Sequence, residues 1–321
     1  MSLTLLATTH RVAPGLLTWR AWEALRSSTA RVLTRPGHPL LPALGDAGVH
    51  AEHVAAPDPA ALVALAREAD VLWVAAPDGD EQLMRRIGQL VVNDPLDVEV
   101  LHGSYDLPGA RLLDLVSVMD TLRRECPWDA KQTHATLVPY LLEESYEVAD
   151  SVESGDLAAL REELGDVLMQ VAFHAVVAAE RTDETAFTID DVAGGIVDKL
   201  VRRHPHVFGD VTVSGADEVN ANWEQIKAAE RAAKSGDEAS VFDGVPMGQP
   251  ALSLAAQLQR RAGRLDAPEE LYQVTGPEYG SRLFALVREA QRAGHDAEAE
   301  LRAVARVFRD RVTAWEHADE G

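Results

Sequence analysis

Two pairs of acidic residues, each spaced three apart, are the strongest chemical signal in the sequence. Glu144 and Glu147 form the first pair, and Glu163 and Asp166 form the second. Residues at i and i+3 lie on the same side of an α-helix, so each pair is predicted to converge on one point. Carboxylates gathered in this way repel one another strongly unless cations lie between them, which indicates a site for divalent metal.

The spacing of the two pairs about a glycine predicts that they face each other. A polar break at residues 154–156, centred on Gly155, separates two helical patterns, and the acid that ends the break is predicted to cap the second helix. The inner acids, Glu147 and Glu163, lie eight residues on either side of Gly155, and the outer acids, Glu144 and Asp166, lie eleven. In an antiparallel helix pair these partners are level, with the two levels about 4–5 Å apart.

The composition of this acidic set favours a hard cation. All four side chains are carboxylates, and neither pair has a histidine as its second member. Ligand sets made of oxygen alone suit Mg²⁺ or Mn²⁺ better than Zn²⁺, and the lack of Glu-x-x-His pairs argues against a ferritin-like di-iron bundle. The alternative interpretation is a solvated acidic helix face. Against it, Asp166 sits inside an apolar run, where an unpaired acid is costly.

The overall composition limits the functional classes. The chain has 321 residues and a formal charge of −22, most of it after residue 105. This charge disfavours nonspecific binding to nucleic acid or to an anionic membrane, although bound cations would still allow a nucleotide ligand. The single cysteine, Cys126, rules out an internal disulfide and fits a reducing compartment. The apolar run at residues 3–7 is too short for a signal sequence or a membrane span, so we predict a soluble, cytoplasmic protein.

Residues 1–105 are predicted to form a small α/β domain. Short apolar runs of strand length occur at 3–7, 49–54, 71–75 and 98–101, and helical patterns at 16–26, 59–68 and 80–88 lie between them. Such alternation is typical of a small parallel sheet.

One stretch of this domain, PGLLTWRAWEALRSSTARVLTR at residues 14–35, resembles the start of the tetrapyrrole methylases. That family opens with a strand, a glycine-rich turn and a helix. Here the turn has a single glycine, Gly15, and the second lobe of the family has no counterpart. We therefore expect a truncated, methylase-like domain without a methyl-donor site, in a structural or interaction role.

From residue 110 onward the chain is predicted to be helical. A linker with glycine and proline at 102–109 precedes a helical pattern at 111–124, which Cys-Pro-Trp-Asp breaks at 126–129. Thr133 is predicted to start the helix that carries the first acidic pair. The predicted fold class is therefore α+β and multi-domain, with a small α/β domain followed by an all-α region.

Five blocks of the helical region resemble MazG, the family of nucleoside triphosphate pyrophosphohydrolases: CPWDAKQTH at 126–134, EESYE at 143–147, EELGD at 162–166, DKLVRRHPHVFGD at 198–210 and NWEQIKAAER at 222–231. The resemblance implies an all-α helical bundle, assigned to residues 110–235, that uses Mg²⁺ and forms dimers. It also implies cleavage of nucleoside triphosphates between the α- and β-phosphates, which gives nucleoside monophosphate and pyrophosphate.

The resemblance assigns roles to the acidic residues. Glu144, Glu147, Glu163 and Asp166 match the metal ligands of the family. Glu143 is an additional acid beside them. We predict that Glu143, or one of the ligand carboxylates Glu144 and Glu147, orients the water that attacks the substrate.

The predicted substrate-binding residues combine positive charge with aromatic rings: Lys131, Tyr140, Lys199, Arg202, Arg203, Trp223 and Lys227. Lys199, Arg202 and Arg203 share one helix face, and the resemblance favours phosphate binding over an ordinary basic patch on an acidic protein. Trp223 and Lys227 are four residues apart and could stack on a base and contact a phosphate.

The C-terminal residues 241–321 are predicted to form a degenerate second MazG-like region. Residues 230–240 are predicted to be a linker, and residues 243–261 resemble the opening of the second domain in two-domain members. Neither acidic motif follows. Amphipathic helices at 283–293 and 299–309 remain, so only the first copy could bind metal.

Three functions are compatible with these patterns. The first is Mg²⁺-dependent hydrolysis of nucleoside triphosphates, for house-cleaning or for control of nucleotide pools. The second is a nucleotide-sensing regulatory module that does not hydrolyse, and the third is an adaptor whose N-terminal domain docks another protein. The resemblance implies a homodimer. Whether a dimer completes each site stays open, although a helix pair this short needs other helices to cover it. The preferred base and sugar and the number of metal ions stay open.

Overall fold

A computed structural model describes residues 1–27, 29–77, 79–235 and 240–318. The chain divides into two compact units, Met1–Gly195 and Ile196–Gly321. The predicted fold class is confirmed, since a small parallel sheet with helices is followed by helices alone. The finer division into domains 1–105, 110–235 and 241–321 stays a prediction. Within the described residues, no helix combines the length and the apolarity that crossing a bilayer requires.

The first 102 residues alternate between strands and helices. The strands are β1 Ser2–Ala7, β2 Ala30–Thr34, β3 Ala51–His53, β4 Asp70–Val74 and β5 Asp97–His102. The helices are α1 Trp19–Leu25, α2 Leu41–Asp46, α3 Pro59–Glu68 and α4 Glu81–Asn93. The strands pair in parallel in the order β3-β2-β4-β1-β5.

Both faces of this sheet are covered, as expected for parallel strands with helical crossovers. Successive side chains of a strand point to opposite faces, so β1 supplies Leu5 to one core and Leu6 to the other. Trp73 of β4 is fully buried in the first core, together with apolar residues of α3 and α4. Leu44 of α2 packs in the second core, together with residues of α1.

Two elements of the sheet domain differ from the sequence-based prediction. The helix predicted at 16–26 is observed as α1, whereas strand β2, in the second half of the segment 14–35, was not predicted. Helix α2 was not predicted either. β2 is only five residues long and alternates Arg31 with buried Val32 and Leu33, so its apolar signal is weak.

The remaining helices follow from residue 111 onward. They are α5 Arg111–Glu125, α6 His134–Ser154, α7 Leu157–Ala179, α8 Ile189–Arg203, α9 Pro205–Phe208, α10 Ala216–Ser235, α11 Ala251–Gly263, α12 Glu278–Arg292 and α13 Ala297–Ala318. Two 3-10 turns, Asp129–Lys131 and Glu269–Tyr272, lie between them. The amphipathic helices predicted near the C-terminus are confirmed as α12 and α13. The linker predicted at 230–240 is wrong in its first half, because α10 continues to Ser235; residues 236–239 lie outside the described part.

An ion-pair network joins the sheet domain to α5. Arg11, whose side chain is only 8% exposed, contacts Asp106 through Nη1 at 2.5 Å and Asp114 of α5 through Nη2 at 2.5 Å. His10 Nε2 also lies 2.7 Å from Asp114, and Thr9 donates a hydrogen bond to Asp106. Hydrogen bonds from Arg11 and His10 hold the pKa of Asp114 well below its usual range. The α/β domain and the helical region are therefore linked by charge within the first unit.

The turn between α6 and α7 is built as the sequence predicts. Gly155 ends α6 in the left-handed conformation, with φ of 74°. Asp156 caps α7, since its carboxylate accepts hydrogen bonds from the backbone N–H groups of Ala158 and Ala159 at 2.9 and 3.1 Å. Thr133 caps the start of α6. A small core around Met119, Leu137 and Phe173, from α5, α6 and α7, holds the helices together.

Gly155→Ala is expected to lower the free energy of unfolding by about 1–2 kcal/mol, because an L side chain strains the left-handed backbone. A Cβ at this position would meet no other atom within 4 Å, so the cost comes from the backbone alone. The measurement is urea denaturation followed by circular dichroism. Gly165→Ala is the matched control: it lies inside α7, is equally uncrowded, and should add about 0.5–1 kcal/mol of stability. Equal effects of the two substitutions would disprove the role of the left-handed turn.

Candidate active site

The α6–α7 hairpin brings the predicted acids together. Glu144, Glu163 and Asp166 each offer a carboxylate oxygen, and these oxygens all lie within 4.8 Å of one another. Glu147 contacts both Glu144 and Glu163. The predicted convergence of the two pairs across the turn is thus confirmed, whereas their role as metal ligands stays a prediction.

The charges of the cluster are crowded. Partial burial raises the pKa of Glu144, and the nearby carboxylates add to the rise, with Asp166 first and Glu147 next. Burial also raises the pKa of Glu163, followed by the effects of Glu147 and Asp166. For each of these two acids, the neighbouring carboxylate with the largest effect is the one opposite it in the helix pair: Asp166 for Glu144 and Glu147 for Glu163. The count from Gly155 predicts this pairing. A cluster in which each negative charge resists the next has a direct use for a cation.

The residues fit a hard divalent cation. The donor set consists of carboxylate oxygens, which Mg²⁺ and Mn²⁺ prefer. The side chains of Glu144, Glu163 and Asp166 are all half-buried, so they do not point freely into solvent.

An aromatic surface continues the acidic face of α6 toward its start. Tyr140 lies four residues before Glu144, so the two share a helix face. Trp128 packs edge-on against Tyr140, with ring centroids 5.9 Å apart, and against the buried Phe173 at 6.4 Å. Trp128 and Tyr140 remain 50% and 40% exposed, which leaves ring surface for a ligand. Lys131 is exposed at the end of the adjoining 3-10 turn.

Arg123 fixes this turn and was not predicted as a site residue. Its Nη1 donates hydrogen bonds to the carbonyl oxygens of Asp129 and Gln132, the second at 3.0 Å. Its guanidinium also makes a bidentate pair with Glu180 at 2.6 and 2.7 Å. The pairing with Glu180 spans 57 residues, and no local pattern in the sequence indicates it.

Apart from Lys131, the predicted basic residues lie in the second unit, where Arg202 and Arg203 share an acidic partner. Arg202 and Arg203, at the end of α8, both pair with Glu230 of α10, at 2.8 and 2.6 Å. Their hydrogen bonds lower the pKa of Glu230 to about 2. Lys199 is exposed one turn before Arg203. Glu230 is a residue that sequence reasoning missed, because it lies 27 residues beyond Arg203.

Trp223 is packed between charged and aromatic groups of the second unit. The guanidinium of Arg203 lies 5.4 Å from its ring centroid, and the imidazole of His204 lies edge-on at 4.9 Å. His204 Nδ1 also lies 2.7 Å from the Leu200 carbonyl oxygen, near the end of α8. Lys227 lies half-buried one turn after Trp223. Substrate binding by these residues stays a prediction.

A histidine pair lies at the far end of the hairpin from Gly155. The parallel rings of His134 and His174 place their Nδ1 atoms 2.8 Å apart. Burial and the neighbouring His134 lower the pKa of His174. The pair was missed. His134 lies 21 residues before Gly155 and His174 lies 19 after, so the two are close to level in the hairpin but not equally spaced about the glycine as the acids are.

Glu163→Gln is expected to abolish stabilisation by Mg²⁺ while raising the melting temperature of the metal-free protein, because it removes a repelling charge. For the wild type, Mg²⁺ at about 100 times its Kd should add about 2.7 kcal/mol of stability. Thermal melts of the full chain in EDTA and in MgCl₂ measure both effects. Glu162→Gln, a neighbouring exposed position, is the matched control and should keep the Mg²⁺ response. A full Mg²⁺ response in Glu163→Gln would remove this residue from the metal site.

Comparison with known proteins adds to this geometry. Residues 132–208, which include both acidic pairs and the end of α8, match the MazG nucleotide pyrophosphohydrolase domain. The chain is 49% identical over 249 residues to an uncharacterised 26.1 kDa protein of Streptomyces cacaoi, a match that covers 76% of this chain and 99% of that protein.

Two further relatives carry the name nucleoside triphosphate pyrophosphohydrolase. The protein of Mycolicibacterium smegmatis is 44% identical over 66% of this chain, and the match spans 61% of the length of that relative, less than two thirds. The protein of Escherichia coli K12 is 39% identical over 58% of this chain, and there the match covers 80% of the relative. The match to the Escherichia coli relative covers most of that protein at 39% identity, and the domain match includes the acidic hairpin. The chain therefore belongs to the MazG nucleotide pyrophosphohydrolase family.

Proposed function

We propose that this protein hydrolyses nucleoside triphosphates to nucleoside monophosphate and pyrophosphate in a Mg²⁺-dependent reaction at the α6–α7 carboxylates. The observation that carries the proposal is the convergence of Glu144, Glu163 and Asp166 within 4.8 Å, in a chain of the MazG family. The names of the mycobacterial and Escherichia coli relatives support the substrate class. Mn²⁺ is an alternative ion of the same chemistry.

The carboxylates are proposed to have two roles: four of them bind the metal, and one accepts the proton of the attacking water. Glu144, Glu147, Glu163 and Asp166 would hold Mg²⁺, which would neutralise phosphate charge and make a coordinated water more acidic. Glu143, exposed beside them, accepts the proton of the attacking water, with Glu144 and Glu147 as the alternatives.

The overall reaction consumes one water. A new P–O bond forms to the water oxygen as the anhydride bond between the α- and β-phosphates breaks, and the water's proton passes to a carboxylate. Pyrophosphate leaves with the electron pair of the broken bond. Catalysis of this type depends on positioning and on stabilisation of charge more than on covalent help from the protein.

The substrate-binding residues are proposed to act through charge and stacking. Lys199, Arg202 and Arg203 would contact phosphates, and Trp223 would stack on the base, next to Lys227. Lys131 and Tyr140 would border the metal end. We propose a cytoplasmic role on the nucleotide pool, without a nucleic-acid partner; the acidic charge of −22 and the free Cys126 support this.

A second candidate function is a nucleotide-sensing module that does not hydrolyse. It is favoured by the pairing of Arg202 and Arg203 with Glu230, because this one carboxylate offsets one of the two positive charges that would otherwise stabilise the charge developing during hydrolysis. Release of pyrophosphate separates the two candidates, because a sensor would bind nucleotide without making this product.

The purified full chain with Mg²⁺ is expected to convert at least one common NTP or dNTP to its monophosphate and pyrophosphate. Glu144→Gln and Asp166→Asn should each lower kcat by about 100-fold or more, because each weakens the hold on the metal. Product analysis by ³¹P NMR or chromatography, with and without EDTA, makes the measurement. Glu162→Gln should retain wild-type turnover. Absence of both products across the panel would rule out hydrolysis and leave the sensing function.

We also propose that the protein is a homodimer built on the hairpin. Helix α6 exposes Val138, Leu142 and Tyr146 at spacings of four, each 45–51% exposed. Helix α7 exposes a similar stripe of Leu164, Leu168 and Val171. Apolar stripes of this kind on a short helix pair are what another pair of helices would cover.

Light scattering is expected to give the mass of two chains for the wild type, and Leu142→Glu should shift this mass toward one chain. A charge in the centre of an apolar interface is costly to bury, so the dimer should weaken. Val92→Glu in α4, where the native side chain is 77% exposed, is the matched control and should leave the mass unchanged. A wild-type mass of one chain at micromolar concentration would contradict the dimer.

A further inference from the structure

Arg123 of α5 joins three separate segments of the chain through its guanidinium group. Its side chain is only 11% exposed, and it makes four hydrogen bonds within the protein. Nε and Nη2 donate to the carboxylate of Glu180, directly after α7, and Nη1 donates to the carbonyl oxygens of Asp129 and Gln132. A bidentate pair with a carboxylate fixes the plane of a guanidinium. The bond to Glu180 therefore also fixes the direction in which Nη1 donates.

The two carbonyl groups that Arg123 holds lie on either side of Lys131. Asp129 is two residues before the lysine and Gln132 is one after it, so the backbone that carries Lys131 is held from both ends. The Trp128 carbonyl oxygen accepts two further bonds within the turn, from the Lys131 N–H at 3.1 Å and from the Gln132 side chain at 3.0 Å. A lysine is a point charge on a flexible stem, so the position of its backbone decides where the charge can act.

The turn places Lys131 on the side of the acidic hairpin. Side chains three residues apart lie on the same side of a 3-10 turn, so Lys131 lies on the side of the Trp128 ring. That ring packs against Tyr140, with centroids 5.9 Å apart, and Tyr140 lies one helical turn before Glu144. All of these residues belong to the first compact unit. The lysine is therefore carried by the surface that continues from the carboxylates.

Lys131 differs in its charge balance from the arginines at the end of α8. It is exposed, and within residues 1–27, 29–77, 79–235 and 240–318 no carboxylate forms an ion pair with it. Arg202 and Arg203, by contrast, share Glu230. A triphosphate carries several negative charges, and phosphoryl transfer depends on groups that offset them. An unpaired ammonium group in the same unit as the carboxylates suits this purpose.

We propose that Arg123 is a positioning residue, which holds the turn so that Lys131 contacts the phosphates of a nucleoside triphosphate bound at the α6–α7 carboxylates. This inference rests on the proposed hydrolysis and extends it to a residue that acts through another. Arg123 does not touch the substrate itself, because its guanidinium is bonded to Glu180 and to the turn.

Steady-state kinetics of the full chain with Arg123→Lys test this role. With the nucleoside triphosphate that the wild type hydrolyses fastest, KM is expected to rise at least about fivefold while kcat stays within about twofold, because Lys131 would contact the phosphates equally before and during the reaction. Lysine keeps the charge but lacks the planar fork that reaches Glu180 and the turn together. Arg124→Lys is the matched control, since Arg124 is 64% exposed and pairs with Asp120 on its own helix. Equal KM values for the two variants would overturn the proposal, as would a fall in kcat with an unchanged KM.

A double variant separates positioning of the lysine from a general effect on the fold. Lys131→Ala alone should raise KM at least as much as Arg123→Lys does. Adding Arg123→Lys to Lys131→Ala should then raise KM by no more than about twofold, because no lysine is left to position. Effects that multiply in the double variant would show that Arg123 acts elsewhere and would overturn the proposal.

Two further measurements keep the outcomes distinct. Glu180→Gln, at a side chain that is 50% exposed, weakens the same ion pair and should raise KM at least about twofold. An unchanged KM in this variant would refute the positioning role even if Arg123→Lys failed to fold. Product analysis of the wild type separates the inference from the function. A wild type that releases no pyrophosphate refutes both, whereas turnover with an unaltered KM in Arg123→Lys refutes the positioning role alone.

Discussion

Repulsion among carboxylates is the constraint on which the candidate active site depends. Two unit charges 4 Å apart repel by about 4 kcal/mol at an effective dielectric constant of about 20. The hairpin forces Glu144, Glu163 and Asp166 to within 4.8 Å of one another, and two raised pKa values record the cost. The left-handed turn at Gly155 and the small core around Phe173 sustain this arrangement. In the proposed function, a divalent ion would convert the same repulsion into affinity.

Much of the fold was predictable because its signals are local. Strands β1, β4 and β5 contain short apolar runs, β3 lies inside the predicted run 49–54, and α3 and α4 carry a helical period. The hairpin was predictable in detail, since Gly155 and its capping aspartate fix the turn, and the 1.5 Å rise of the helix then sets which acids are level. β2 and α2 escaped prediction because their few residues mix polar and apolar types, and the sheet around them decides their conformation.

Site features that join distant residues were not predictable from one sequence. The pairing of Glu230 with two arginines, the hold of Arg123 on the Asp129–Lys131 turn and the edge-on packing of Trp128 each depend on how separate elements meet. Arginines and acidic residues are abundant in this chain, so charge alone does not select the partner of any one of them. The histidine pair is different, because the register of the hairpin contains it once the turn is known.

The charge network of Arg11 bears on how the helical region could be isolated. A fragment beginning at residue 106 would keep Asp106 and Asp114 but would lose the guanidinium that lies between them. Asp106 would then lose its arginine partner, and Asp114 in the first turn of α5 would keep only Arg111. Helix α5 packs on α7 through Met119 and its neighbours. Loss of turnover in such a fragment would therefore be ambiguous, since a disturbed scaffold would imitate the removal of an essential domain. Neutralising both aspartates in the same fragment would tell the two causes apart.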